Sequence, residues 1–167
     1  KENINNEFIL ATLHRAENTD NFKNISSIIH ALKIISEKIQ VVLPIHPRTL
    51  KTIKLIDNVP KNFIFVDPLP YLEFNFLVKN SKAVITDSGG ITEEATVMNV
   101  PCLTLRDSTE RPETVIEGTN VLVGTNPDNI KPILDKLFAG EWKKGTVPEL
   151  WDGKTSDRIV GILEGLV

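Results

Sequence analysis

The chain has 167 residues with 41% hydrophobic and 25% charged side chains, enough for a globular domain with its own core. A net charge of −3 excludes the basic footprint of a general nucleic-acid binder, so no nucleic-acid partner is expected. One cysteine, Cys102, excludes an internal disulfide and a cysteine metal cluster. With no signal segment and no long apolar span, no membrane partner is expected and a cytoplasmic setting is the default.

In chain order, strand-like and helix-like stretches alternate. Glu7–His14 is a short apolar run. Asn24–Ile39 then places Ile25, Ile28, Ile29, Leu32, Ile35 and Ile39 at helical spacing. Val41–His46 predicts a second buried strand, and Thr49–Asp57 a helix. Phe63–Val66 is a third strand; the helix after it, Pro70–Asn80, has a proline suited to its first turn. Ala83–Asp87, Pro101–Leu105 and Asn120–Gly124 complete six strands. Helices are expected over Ile91–Met98, Pro112–Glu117, Pro127–Phe138 and Ser156–Leu166. Ala139–Gly153, with Trp142 and Trp151, is the least regular part: a surface crossover or a patch against another domain.

Apolar strands separated by helices predict an α/β fold with a doubly wound parallel sheet covered on both faces, a Rossmann-like domain. Ligands of such sheets bind beyond the carboxyl ends of the strands. The loops there collect the histidine, arginine, serine and glycine that the strands lack.

The stretch Asp87-Ser88-Gly89-Gly90 lies between a strand and a helix. Glycines admit a ligand close to the backbone, and the helix start offers unpaired N–H groups to an anion. Ser88 can cap the helix or give its hydroxyl to that anion. Glu94, one turn on, repels phosphate but can accept from sugar hydroxyls, as on a ribose. The competing reading is a plain strand–turn–helix with a serine cap. In Arg106–Glu113, Pro112 suits a first helical turn and Ser108 or Thr109 can cap. Arg111 can there fork onto phosphate, or pair with Glu110 or Glu113 at the surface. His14 ends the first strand, where imidazole can donate to phosphate or move a proton, or serve as an ordinary loop histidine. Arg15 adds charge, while Glu17 and Asn18 suit loop ordering. His46, between prolines, suits structure, and His30 a helix surface. The three histidines have no metal-ligand spacing, and the serine-glycine loop lacks a P-loop lysine.

Together "LHRAEN", "DPLPYLEFNFLVKNSKAVITDSGGITEEA" and "RDSTERPETVIEGTNVLVGT" resemble the non-hydrolysing UDP-N-acetylglucosamine 2-epimerase family, from near residue 8 to about Val160. The resemblance implies two Rossmann-like domains facing across a cleft, the glycosyltransferase-B arrangement. Residues 1–167 are then expected to be the C-terminal UDP-binding domain, with the catalytic N-terminal half as its missing partner and a homodimer when full length. It implies UDP-GlcNAc and UDP as ligands, no cofactor and no metal. Carried over by motif, Ser88, Gly89 and Gly90 are diphosphate ligands, Glu94 a ribose ligand and Arg111 a phosphate ligand. Arg15 adds to the UDP site, Phe74 falls where the family holds the uracil, and His14 matches the active-site histidine. The chain departs from the pattern at Ala16, where many bacterial members have a second arginine.

The reaction so implied interconverts UDP-GlcNAc and UDP-ManNAc by eliminating UDP to leave a glycal and adding it back with C2 inverted. Other readings are half of a hydrolysing epimerase or of a glycosyltransferase on the same scaffold, or a non-catalytic nucleotide-sugar-binding module.

Overall fold

The computed structural model describes residues 4, 7–45, 47–53, 55–56 and 60–165. Six parallel strands form one sheet: β1 (Phe8–Thr12), β2 (Gln40–Pro44), β3 (Phe63–Val66), β4 (Ala83–Thr86), β5 (Cys102–Thr104) and β6 (Asn120–Leu122), in the order β3-β2-β1-β4-β5-β6. This is the dinucleotide-fold order, with its reversal of direction between β1 and β4. There the register sets Thr12 beside Thr86, and the two hydroxyls bond at 2.7 Å.

The strands are apolar on both faces because helices cover both. From β1, Ile9 and Ala11 join one core cluster with Ile25, Ile29 and Leu32 of α2 (Phe22–Ser36) and with Ile130 and Leu134 of α7 (Ile130–Phe138). Phe8 and Leu10 join the other, with Val78 of α4 (Tyr71–Asn80) and Ala95 of α5 (Gly89–Val97). Each fully buried Ile or Leu contributes roughly 1.5–3 kcal/mol relative to exposure. Cys102 belongs to the second cluster, where burial pushes its thiol up to about 12. It is a packing residue.

The helix ends refine the sequence reading. Asn21 caps α2 through its side chain, accepting from the N–H groups of Lys23 and Asn24. Pro70 stands at the N-cap position of α4, one residue ahead of the first turn predicted for it, with an extended ψ of 160°. The helix expected from Pro127 begins as a 3-10 turn, Pro127–Asn129, with the Asn126 side chain accepting from the Asp128 N–H; α7 follows. Between β1 and α2 lies an unpredicted single turn, α1 (Ala16–Thr19). Short helices α3 (Pro47–Ile53) and α6 (Pro112–Ile116) follow β2 and β5.

The stretch 139–153 is irregular, as expected. Trp142 packs against the first core cluster and its indole N–H donates to the Thr119 carbonyl at 3.1 Å. The last helix, α8 (Thr155–Glu164), contains no buried residue. Among the described residues no helix is long and apolar enough to cross a membrane.

Candidate functional site

At the carboxyl ends of the strands lies a cavity of about 880 Å³. It draws on the loop after β1 (Leu13, His14, Ala16), the start of α4 (Tyr71, Phe74, Asn75) and the start of α5 (Ser88, Gly90, Glu93, Glu94). Five of the eight residues singled out from the sequence therefore line one cavity: His14, Phe74, Ser88, Gly90 and Glu94. Arg15, Gly89 and Arg111 do not line it.

Asp87 holds the site together. Its side chain is fully buried at the end of β4. One carboxylate oxygen accepts from the His14 N–H at 3.0 Å; the other accepts from the Arg15 N–H at 3.1 Å and from the Asn18 amide at 2.8 Å. The Arg15 Nε–H donates to the Asp87 carbonyl at 3.2 Å. A buried carboxylate must be met by donors, and here they come from the neighbouring strand's loop across the switch point. The turn of α1 closes through backbone bonds to the Arg15 and Ala16 carbonyls, and Asp87 anchors it to the sheet. Asn18 orders the loop, as expected of it, and the exposed His14 imidazole stands on a fixed backbone.

The serine-glycine stretch opens α5 directly. Ser88 occupies the N-cap position, but its side chain makes no capping bond; its N–H is taken by Thr86 Oγ1 at 3.0 Å. The plain serine-cap reading therefore fails. Neither Gly89 nor Gly90 has a positive φ. A Cβ on Gly90 would meet nothing within 4 Å, and one on Gly89 would meet only Glu110 at 3.5 Å. The fold itself does not require these glycines. Open space over the first turn of a helix, where N–H groups are unpaired, is suited to an anion.

The charged groups around this turn are paired among themselves. Arg106 donates to both oxygens of Glu110 at 2.7 Å, and this pair of hydrogen bonds holds the Glu110 carboxyl down at about 2. Arg15 stands 3.7 Å from the same carboxylate. Arg111 bonds through Nε to Glu93, so its surface ion pair is real but is made with neither Glu110 nor Glu113. Arg111 is also the N-cap residue of α6, with Pro112 at the first position; neither Ser108 nor Thr109 caps. Thr109 instead accepts from the Arg111 N–H at 3.0 Å, and Thr114 donates to the Arg111 carbonyl at 2.8 Å. Glu94 accepts from the Tyr71 hydroxyl at 2.8 Å, which joins α4 to α5 and raises the phenol above its ordinary range.

The sequence reading missed Asp87, Tyr71 and Glu93 as partners. Only Asp87 carried a signal, an acid directly after an apolar strand. His30 lies exposed on α2, as expected, while His46 falls outside the described residues. No cluster of three or more potential metal ligands occurs among the described residues.

A sequence model described as UDP-N-acetylglucosamine 2-epimerase matches residues 1–164. A protein of that name from Methanococcus maripaludis is 42% identical over 96% of this chain and 45% of its own length. A UDP-2,3-diacetamido-2,3-dideoxy-D-glucuronate 2-epimerase from Pseudomonas aeruginosa is 48% identical over 74% of this chain and 35% of its own length. Among solved structures, the UDP-GlcNAc 2-epimerase of Methanocaldococcus jannaschii in complex with UDP-GlcNAc and UDP superposes with a TM-score of 0.80. It is 39% identical, over 95% of this chain and 45% of that one. The chain spans about half the length of the relatives it matches.

Proposed function

This chain belongs to the UDP-N-acetylglucosamine 2-epimerase family, and from that premise we propose that it is the UDP-holding part of a nucleotide-sugar 2-epimerase. The observation that carries the proposal is the cavity at the switch point. It brings His14, Phe74, Ser88, Gly90 and Glu94 from three stretches of sequence to one cavity. In this reading the diphosphate rests on Ser88, Gly89 and Gly90 at the start of α5, with Arg111 and Arg15 beside it. The ribose meets Glu94, and the base lies by Phe74.

The chemistry assigned to these residues is stabilisation of a leaving group. When the bond from C1 of the sugar to the diphosphate oxygen breaks, the electron pair leaves with UDP. Fixed N–H groups and cations already in place meet that charge without reorganising. The His14 imidazole stands at the cavity wall to donate a proton or hydrogen bond to the departing oxygen. Removal and return of the C2 proton fall to the half of the enzyme outside this chain. The same reading has the complete enzyme working as a cytoplasmic homodimer.

The names of the relatives agree on 2-epimerisation of a UDP-linked sugar and differ in the sugar itself. A second reading is therefore an epimerase for a differently substituted UDP-amino sugar. Both place the nucleotide here, and product analysis of the full-length enzyme on each substrate separates them.

The test is calorimetric titration of UDP into this chain, with uridine alongside and with Arg111→Ala and Glu94→Ala. Saturable UDP binding, weakened about tenfold or more for uridine and for each variant, is the expected result. A folded chain that ignores UDP would overturn the proposal.

A further inference from the structure

The two consecutive acids of α5 have different partners. Glu93 is engaged by Arg111, Glu94 by Tyr71. Tyr71 and Glu94 both line the cavity. Tyr71 is 66% exposed, so its burial contributes little to the fold, yet its backbone is fixed. It occupies the first turn of α4, and its carbonyl accepts from the amide of the buried Asn75 at 3.2 Å.

We propose that Tyr71 is the positioning residue for Glu94 and gives the site its preference for a ribonucleotide over a 2′-deoxyribonucleotide. The inference rests on the UDP reading above. A glutamate side chain has three rotatable bonds, and its carboxylate alone can turn to meet one hydroxyl or two. The Tyr71 hydroxyl, donating at 2.8 Å, fixes Oε1 and with it the plane of the carboxylate. The raised phenol keeps its proton, so Tyr71 remains the donor in this pair. The pair that lines the cavity keeps acceptor capacity beyond this bond: Oε2, the second lone pair of Oε1 and the phenolic oxygen. A ribose supplies two donors, the 2′- and 3′-hydroxyls, to such a row. A 2′-deoxyribose supplies one, and an acceptor held in place goes unmet. Sites built to bond a hydroxyl discriminate strongly against ligands lacking it. A carboxylate free to swing would serve the single hydroxyl nearly as well.

The test measures dissociation constants for UDP and 2′-deoxy-UDP in the unsubstituted chain, Tyr71→Phe, Glu94→Ala and the double variant. The unsubstituted chain is expected to prefer UDP by about tenfold or more. Tyr71→Phe narrows the preference to within about threefold, and adds nothing further in the Glu94→Ala background. Its melting temperature stays within about 2 °C of the parent, because an exposed ring loses only its hydroxyl. An undiminished preference in Tyr71→Phe overturns the inference, as does equal affinity of the unsubstituted chain for both nucleotides. Either result leaves the UDP reading standing. Failure of the unsubstituted chain to bind UDP overturns both.

Discussion

The crevice between β1 and β4 and the helix α8 are opposites. In the crevice a buried carboxylate, Asp87, is met by donors from a neighbouring loop, and Arg106, Arg111 and Glu94 each have a partner within the same chain. Along α8, Ile159, Val160, Ile162 and Leu163 are all more than half exposed, as is Leu150 just before it. In one region these charged groups find partners within the chain. The other is apolar and uncovered by the described chain. An enzyme site gains from the first condition, since groups already fixed need not be ordered when substrate arrives. A helix gains nothing from the second, since its stability in proteins comes mainly from packing an apolar face.

The contrast predicts unequal responses to substitution. The largest belongs to Asp87→Ala. It leaves the His14 and Arg15 N–H groups and the Asn18 amide without their acceptor. An unmet donor costs about 1–3 kcal/mol when buried, as at Asn18, and less where it is part-buried, as at His14 and Arg15. A total loss near 3 kcal/mol is expected after partial rescue by water. Urea denaturation would show it as a lowered midpoint with little change in slope. A loss under about 1 kcal/mol would mean the loop is held by something other than Asp87, and the crevice would no longer count as the ordered region.

Gly90→Ala is next, and its sign is reversed. The residue lies in the first turn of α5 with open space where a Cβ would go and no positive φ to relieve. Alanine reduces the entropy of the unfolded chain and favours helix, so a gain of roughly 0.5–1 kcal/mol is expected. The same methyl group stands where the proposed diphosphate must approach the backbone, so UDP affinity falls. Thermal melting and UDP titration on one variant check both halves. Stabilisation with unchanged affinity would show that the anion does not rest on this turn.

These responses also mark what the sequence could disclose. Six strands and the helices between them were legible because each is long enough, or apolar enough, to show a period or a buried run. The turn Ala16–Thr19 was not, since four residues carry no period and its anchor is Asp87, about seventy positions away. The site residues were visible as types gathered at strand ends. Their partners were not: Arg111 meets Glu93 because α6 packs beside α5, and Tyr71 meets Glu94 because α4 also packs beside α5. Ser88 shows the reverse case. A local rule favoured a capping bond, yet the Ser88 side chain makes none and the residue lines the cavity instead.

The smallest effect is expected on α8. Ile162 is 65% exposed, and α8 buries none of its residues. Ile162→Ser therefore removes little apolar contact, and its cost is expected to stay within about 0.5 kcal/mol, against 2–5 kcal/mol for truncating a core side chain. The helix is anchored chiefly at its first turn, where Arg158 bonds Asp152 at 2.5 Å, so a substitution one turn later leaves that anchor alone. The apolar stripe should instead show in solution behaviour: sedimentation at rising concentration should reveal self-association that the double variant Ile159→Ser, Ile162→Ser reduces, since exposed apolar patches of this kind bind one another. A cost above about 1 kcal/mol for Ile162→Ser, with the chain monomeric throughout, would mean α8 is packed in solution. The two regions would then differ in polarity alone and no longer in how completely they are satisfied.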